Sequence, residues 1–505
     1  MTLSTRAVWT AGLVISITIA AATGLSAQAK PPAATAPKPV DAPATKKVAA
    51  LPMIPAMSRP WTGDFDGMVK RRLVRILTPY SKTQYFIDKG MPRGLVADVA
   101  VKLEQDLNAK LKTTNANKLH VVVIPTSRDA LYDALVQGRG DIICAGITVT
   151  PEREKLVDFT IPTRTNIREI VVTGPGAPSI ATVDDLSGKQ VAVRNKSIQF
   201  ESLQTLNETF KKKGKAPVEI RTVPPALEDE DILEMANAGL LKIVVVNDVY
   251  ADFWKQILTS ITPHPTVAVR EESNLAWAVR KGSPKLIAQL NPIIKANGEG
   301  TLFGNVLLKK YLKNAQFVKG ATSPAEIKKF NDLLAMFRKY GNQYSVDYLL
   351  MVAQGYQESR LDQSVKSQVG AVGVMQVMPA TGKELKVGDI SQVDANINAG
   401  VKYMRFMIDQ YFKDEPMDDL NKGLFAFASY NAGPARIRQL RKLAETRGLN
   451  PNIWFNNVEH VVAEKIGRET VTYVANIYKY YVAYTLTMQE LQEKSKAKAA
   501  TGGQR

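Results

Sequence analysis

Leu73-Val74-Arg75-Ile76-Leu77, then Val96, Val99, Ala100, Leu103 and Leu107 at helical spacing, then His120-Val121-Val122-Val123-Ile124, decide the fold. After another helical set, Leu131, Ala134 and Leu135, comes Asp141-Ile142-Ile143-Cys144-Ala145. The short apolar runs are strands buried on both faces, and the runs with apolar positions three and four apart are amphipathic helices. This strand–helix–strand–helix–strand order predicts a mostly parallel sheet with helices on both faces. A second set lies downstream: Gln190-Val191-Ala192-Val193, a helix through Leu203 and Phe210, Val218-Glu219-Ile220, and Ile243-Val244-Val245-Val246. Two α/β lobes of similar size are therefore expected in tandem within residues 66–318.

After Lys319 the texture changes to helix upon helix. Ser323-Pro324-Ala325-Glu326 combines a capping serine, a first-turn proline and a glutamate that reaches back, which is a helix start. Phe330, Leu333, Leu334 and Phe337 continue its apolar face, and similar periods run through Tyr348, Leu349, Val352 and Tyr356, through Val401, Met404 and Ile408, and through Val471, Val474 and Tyr478. No strand run interrupts them, so residues 319–490 read as an all-α domain. Residues 30–65, rich in Ala, Pro and Lys, read as a linker, and the Lys/Ala/Gly-rich residues 491–505 as a flexible tail. Residues 1–29 carry Arg6, an apolar run from Val8 to Ala22 and the small-x-small end Ala27-Gln28-Ala29, the pattern of a secretory signal.

The 505 residues carry 66 Lys+Arg against 48 Asp+Glu, a net charge of +18. That charge attracts polyanions. With export, it points to a periplasmic chain that meets an acidic wall polymer or, peripherally, an outer-membrane surface, and not nucleic acid. The single cysteine, Cys144, excludes an internal disulfide framework. With only His120, His264 and His460 beside it, no thiolate or imidazole metal cluster can be assembled, and no P-loop or G-x-G-x-x-G is present. Neither a metal nor a cofactor is expected.

The helical region holds Glu358-Ser359, a second serine at Ser367, Gly370-Ala371-Val372-Gly373-Val374-Met375-Gln376-Val377-Met378-Pro379, Tyr430-Asn431-Ala432-Gly433, and Glu469-Thr470-Val471-Thr472-Tyr473-Val474. In this order the segments resemble those of the Slt-type lytic transglycosylases, whose domain has a goose-lysozyme-like helical fold. The resemblance covers about a third of the chain. It implies peptidoglycan as substrate, with cleavage of the MurNAc–GlcNAc β-1,4 bond to 1,6-anhydromuramoyl ends. It further implies Glu358 as the catalytic acid, and Ser359, Ser367, Gly373, Met375, Gln376, Tyr430, Asn431, Glu469 and Tyr473 as substrate-binding positions. Val374 and Arg360-Leu361 depart from the usual pattern. Independently, Tyr356, Met375 and Met378 provide apolar surroundings that would raise the pKa of a buried Glu358 towards neutrality. Most glycosidases need a second carboxylate, and the nearest in sequence, Asp362, lies in a polar loop with nothing to nominate it. A water-using muramidase and a solute receptor with an inactive helical module remain alternatives.

Gly146-Ile147-Thr148-Val149-Thr150-Pro151-Glu152-Arg153, with Val157-Asp158-Phe159 and Pro162 close behind, resembles the signature of family 3 extracellular solute-binding proteins. That resemblance implies a two-lobe, type 2 periplasmic-binding-protein-like domain over about residues 66–315. Thr148 and Arg153 would grip the carboxylate of an amino acid or muropeptide, and Asp248 would hold its ammonium. A guanidinium fork suits a carboxylate, and an aspartate opposite supplies the counter-charge. Asn195-Lys196-Ser197-Ile198-Gln199 lacks the usual small Gly-Thr pattern of the second-lobe loop. The alternative is that Thr150-Pro151 only caps a helix and Arg153 pairs with a surface acid.

Overall fold

The computed structural model describes residues 59–88, 90–114, 117–313 and 324–502. The expected signal, most of the linker and the Ser323 cap lie outside the described residues.

Eleven strands are found among the described residues: β1 (Leu73–Thr78), β2 (Phe86–Asp88), β3 (Met91–Arg93), β4 (His120–Pro125), β5 (Ile142–Thr148), β6 (Val157–Phe159), β7 (Arg164–Thr173), β8 (Gln190–Arg194), β9 (Glu219–Val223), β10 (Ile243–Asn247) and β11 (Thr262–Arg280). One sheet has the order β4-β1-β5-β11-β7-β10-β8-β9, with β6 on β11, and β2 pairs separately with β3. Within each lobe the expected parallel pairing holds, β4-β1-β5 in the first and β9-β8-β10 in the second. Between the lobes it fails, because β7 and β11 run antiparallel to each other and to their neighbours.

The lobes are thus interleaved rather than in tandem. The chain leaves the first lobe on β7 and returns on β11, after which the helix Pro284–Asn297 buries Leu286, Leu290 and Ile294 in the same core as Leu103 and Leu107. Each lobe's sheet is covered on both faces, as parallel strands require.

Eight helices of the C-terminal half concern the site: α1 (Pro324–Tyr344), α2 (Tyr348–Ser359), α3 (Pro379–Leu385), α4 (Val393–Tyr411), α5 (Asp419–Ala432), α6 (Pro434–Thr446), α7 (Glu459–Ile466) and α8 (Arg468–Gly502). They share one core around Phe337, Met351, Met375, Phe425, Phe427, Trp454 and Ile477, which gives the all-α, lysozyme-like domain expected.

Two flanks differ from expectation. Residues 491–502 continue α8 instead of forming a free tail, because Lys, Glu and Ala are all strong helix formers. There Lys494 is 8% exposed and pairs with Asp231 of the second lobe at 3.1 Å. The linker also ends before residue 65: the Trp61 N–H bonds the Gly138 carbonyl at 2.8 Å, Arg71 stacks on the Trp61 ring, and Asp64 caps the helix Phe65–Arg71. At 35 residues and about 1.5 Å each, α8 is roughly 50 Å long. It packs on the first lobe, where Lys479 meets Glu104 at 2.6 Å and the Tyr484 hydroxyl bonds the Gly90 carbonyl.

Candidate active site

α2 delivers Glu358 to its last turn. The Asp347 carboxylate starts the helix by accepting from the N–H groups of Leu349 and Leu350, and the left-handed Arg360 and Leu361 end it. A carboxylate at this end faces the partial negative charge of the terminal carbonyls, which disfavours its ionised form. Tyr473 of α8 donates its hydroxyl proton to Glu358 Oε1, and Gln354, one turn earlier on α2, donates from Nε2 to the Tyr473 oxygen at 3.2 Å.

Burial pushes the Glu358 pKa up to about 7, and the Tyr473 hydrogen bond draws it only part of the way back. No cation and no second carboxylate takes part in that shift. Burial, and then the charge of Glu358, holds the phenols of Tyr473 and Tyr430 well above their ordinary range, so both remain donors. The surroundings differ in part from expectation. Tyr356 and Met375 are buried, but Met378 is 41% exposed, and the hydrogen-bond partner of the carboxyl is Tyr473.

The loop between α2 and α3 is held by its own polar groups. The Ser359 hydroxyl donates to the Val374 carbonyl at 2.9 Å and accepts from the Asp362 N–H at 3.1 Å. The amide of Gln363 donates to the Ile390 carbonyl and accepts from Val374 N–H, while Asn396, wholly buried on α4, accepts from Met375 N–H at 2.8 Å and donates to the Val372 carbonyl. Gly373 has φ +77°, and a Cβ there would lie 2.5 and 2.6 Å from those two amides, so only glycine fits.

Several positions expected to bind substrate are therefore spent on the fold. Ser359 is a buried bolt between helix and loop. Met375 is wholly buried, packed beneath Gly355 and Gly400, and it is its backbone that is used, the N–H on Asn396 and the carbonyl as acceptor for the Tyr430 hydroxyl at 2.9 Å. Gln376 folds back to donate to the carbonyls of Val365 and Gly373, and Asn431 accepts from the Thr470 hydroxyl, tying α5 to α8. Ser367 is half-buried, its Oγ accepting from Ala371 N–H, and Glu469 stands exposed in the first turn of α8. The arrangement brings Glu358, Tyr473 and Tyr430 together.

In the cleft of the α/β part, Thr148 ends β5, Arg153 lies just beyond it, and Asp248 comes directly after β10. The Arg153 guanidinium donates to the Thr148 carbonyl and to Glu201 of the second lobe, each at 3.0 Å. Asp248 pairs with Arg168 at 3.3 Å. Beside them Arg128 clamps Glu228 across the lobes with three contacts of 2.7–3.1 Å. Burial pushes the Glu228 carboxyl up, but Arg128 outweighs it and holds the group below its ordinary range. The groups expected to grip a ligand are thus engaged by the chain's own charges, in keeping with the alternative reading of Arg153.

A family model for bacterial extracellular solute-binding proteins, family 3, matches residues 74–313, and one for the transglycosylase SLT domain matches residues 335–453. This chain joins a solute-binding domain to an SLT domain. Curated relatives named membrane-bound lytic murein transglycosylase F include one from Desulfosudis oleivorans, 26% identical over 80% of this chain and 88% of that protein. Another, from Pseudomonas fluorescens, is 26% identical over 83% and 85%. A crystal structure of the substrate-binding protein of an amino acid ABC transporter is 22% identical, covering 48% of this chain and 100% of that one at a TM-score of 0.39.

The match to the SLT domain stops short of Tyr473, the residue that touches Glu358. Sequence reasoning also missed Gln354, Gln363 and Asn396. Their one signal was an amide at a position where helix or loop otherwise turns inward, as in the run Leu349-Leu350-Met351-Val352-Ala353-Gln354. Among the described residues no cluster of His, Cys, Asp and Glu could hold a metal ion, and no helix is long and apolar enough to cross a membrane.

Proposed function

We propose that this chain is a peptidoglycan lytic transglycosylase in which Glu358 protonates the oxygen of the MurNAc–GlcNAc β-1,4 bond. The same carboxylate then takes the proton from the C6 hydroxyl of the muramoyl residue as that oxygen attacks C1. The C1–O4 bond breaks, the C1–O6 bond forms, and the product is a 1,6-anhydro end. The observation that carries this reading is a half-buried carboxyl near pKa 7 with no second carboxylate against it. A group poised at neutrality gives and takes a proton at comparable cost, whereas hydrolysis with inversion or through a glycosyl-enzyme calls for two carboxylates. The acetamido group of the substrate takes up the stabilisation of C1, and Ser367 lies in the loop that would hydrogen-bond it.

Mass analysis of digested sacculi tests this. Wild type should release ends lighter by one water than reducing ends, and Glu358→Gln should release glycan at least about 100-fold more slowly. Ordinary reducing ends would favour a water-using muramidase, and undiminished release by Glu358→Gln would remove Glu358 from the chemistry.

The solute-binding domain takes a small ligand, for which we propose an amino acid or muropeptide that displaces Glu201 from Arg153. One helix, α8, carries both Tyr473 at Glu358 and Lys494 at Asp231 of the second lobe. A ligand that changes the lobe arrangement would act on that helix and so on turnover. Unchanged turnover with a muropeptide demonstrably bound would remove the coupling.

A further inference from the structure

Gln354 is wholly buried on a helix whose neighbouring inward residues are Leu350, Met351, Val352 and Ala353. Its Nε2 donates to the Tyr473 oxygen, but its Oε1 is buried without a hydrogen-bond partner among the described residues. An acceptor left so is destabilising, because it gives up its hydration for nothing. As packing material the amide is therefore inferior to a methionine of similar length, and its presence calls for another reason.

What the amide supplies is direction. A phenol oxygen that already accepts from Nε2 has its own proton to give, and Glu358 Oε1 is the acceptor that receives it. When Glu358 is protonated, an Oε1 that accepts from Tyr473 is the wrong oxygen to bear the acid proton, which sits on Oε2. Without the donor from Gln354, the phenol could instead accept from a proton on Oε1, and that proton would face Tyr473 rather than a substrate. The remaining ionisable neighbour, Tyr430 on α5, does not compete, since its proton goes to the Met375 carbonyl and Tyr403 packs against its ring at 5.4 Å.

We propose that Gln354 is a positioning residue: by donating to the Tyr473 oxygen it commits the Tyr473 proton to Glu358 Oε1 and leaves Oε2 to hand the acid proton to the substrate. The inference rests on the reading of Glu358 as the acid and deepens it. It adds a second consequence, because Gln354 keeps the Tyr473–Glu358 bond strong and so favours the ionised carboxyl. Losing it moves the deprotonation of the acid, and with it the alkaline limb of kcat/KM, to higher pH.

The test compares wild type, Gln354→Met, Tyr473→Phe and the double variant, reading kcat/KM against pH on a soluble glycan strand and Tm by calorimetry. Gln354→Met should lower kcat/KM about tenfold and move the alkaline limb up by about half a pH unit, with Tm unchanged or raised. Added to Tyr473→Phe, it should change almost nothing, since the two residues act as one chain. Equal losses in both backgrounds, or a fall in Tm with an unmoved limb, would make Gln354 a packing residue and overturn the proposal. Failure of both Gln354→Met and Gln354→Leu to fold would overturn it equally. An active Glu358→Gln would instead sink the underlying reading, so the two failures can be told apart.

Discussion

Glu358 and Glu228 are both carboxyls drawn out of water, and they end in opposite states. Glu228, 3% exposed between the lobes, lies under the forked guanidinium of Arg128 and stays ionised. Glu358 has the Tyr473 phenol as its hydrogen-bond partner and no cation in its shift, and burial carries it up to about 7. Burial raises a carboxyl unless a cation held against it outweighs the lost hydration, as Arg128 does at Glu228. The contrast is local and does not divide the two domains, since Glu169 on β7, buried with the Gln199 amide as its donor, is also pushed up to about 7. Across the interlobe cleft, Arg128 faces Glu228 and Arg153 faces Glu201, whereas no cation takes part in the shift of Glu358.

The contrast can be broken by removing cations. Arg128→Leu leaves Glu228 buried and unpaired and should destabilise the chain by about 3–5 kcal/mol, most of it recovered in Arg128→Leu/Glu228→Leu, as read by denaturant unfolding. The Arg153–Glu201 pair is more open, the glutamate side chain being 35% exposed, so Glu201→Gln should cost no more than about 1 kcal/mol and less still in high salt. Equal costs for the two would show that burial does not divide them.

Both lobes were legible where the strands are continuous apolar runs, as in Val121-Val122-Val123 and Val244-Val245-Val246. β7 and β11 were not, since Arg164, Arg168, Arg270, Glu271 and Glu272 interrupt them with charge, and these strands pass between lobes rather than through one core. Missing them turned two interleaved lobes into two consecutive ones. The end of α8 was misread because Lys and Ala favour a solvated tail and a helix alike, and only the Asp231 side chain decides between them. At the site, the position of Glu358 at a helix end was legible. The roles around it were less so, because a motif records which residues recur and not whether the side chain, as in Met375 and Gln376, turns into the fold.

The proposed chemistry depends on where Glu358 holds its proton. The side-chain carboxyl carbon of Glu358, monitored by 13C NMR across pH 3–9 and assigned by its loss in Glu358→Gln, measures that directly. A carboxyl that serves as both acid and base should show an inflection near 7, with Glu228 ionised throughout the upper part of that range. An inflection in the ordinary carboxylate range, about 4–5, would mean that the tyrosines and water solvate the anion as well as bulk solvent does, and would contradict that dual role.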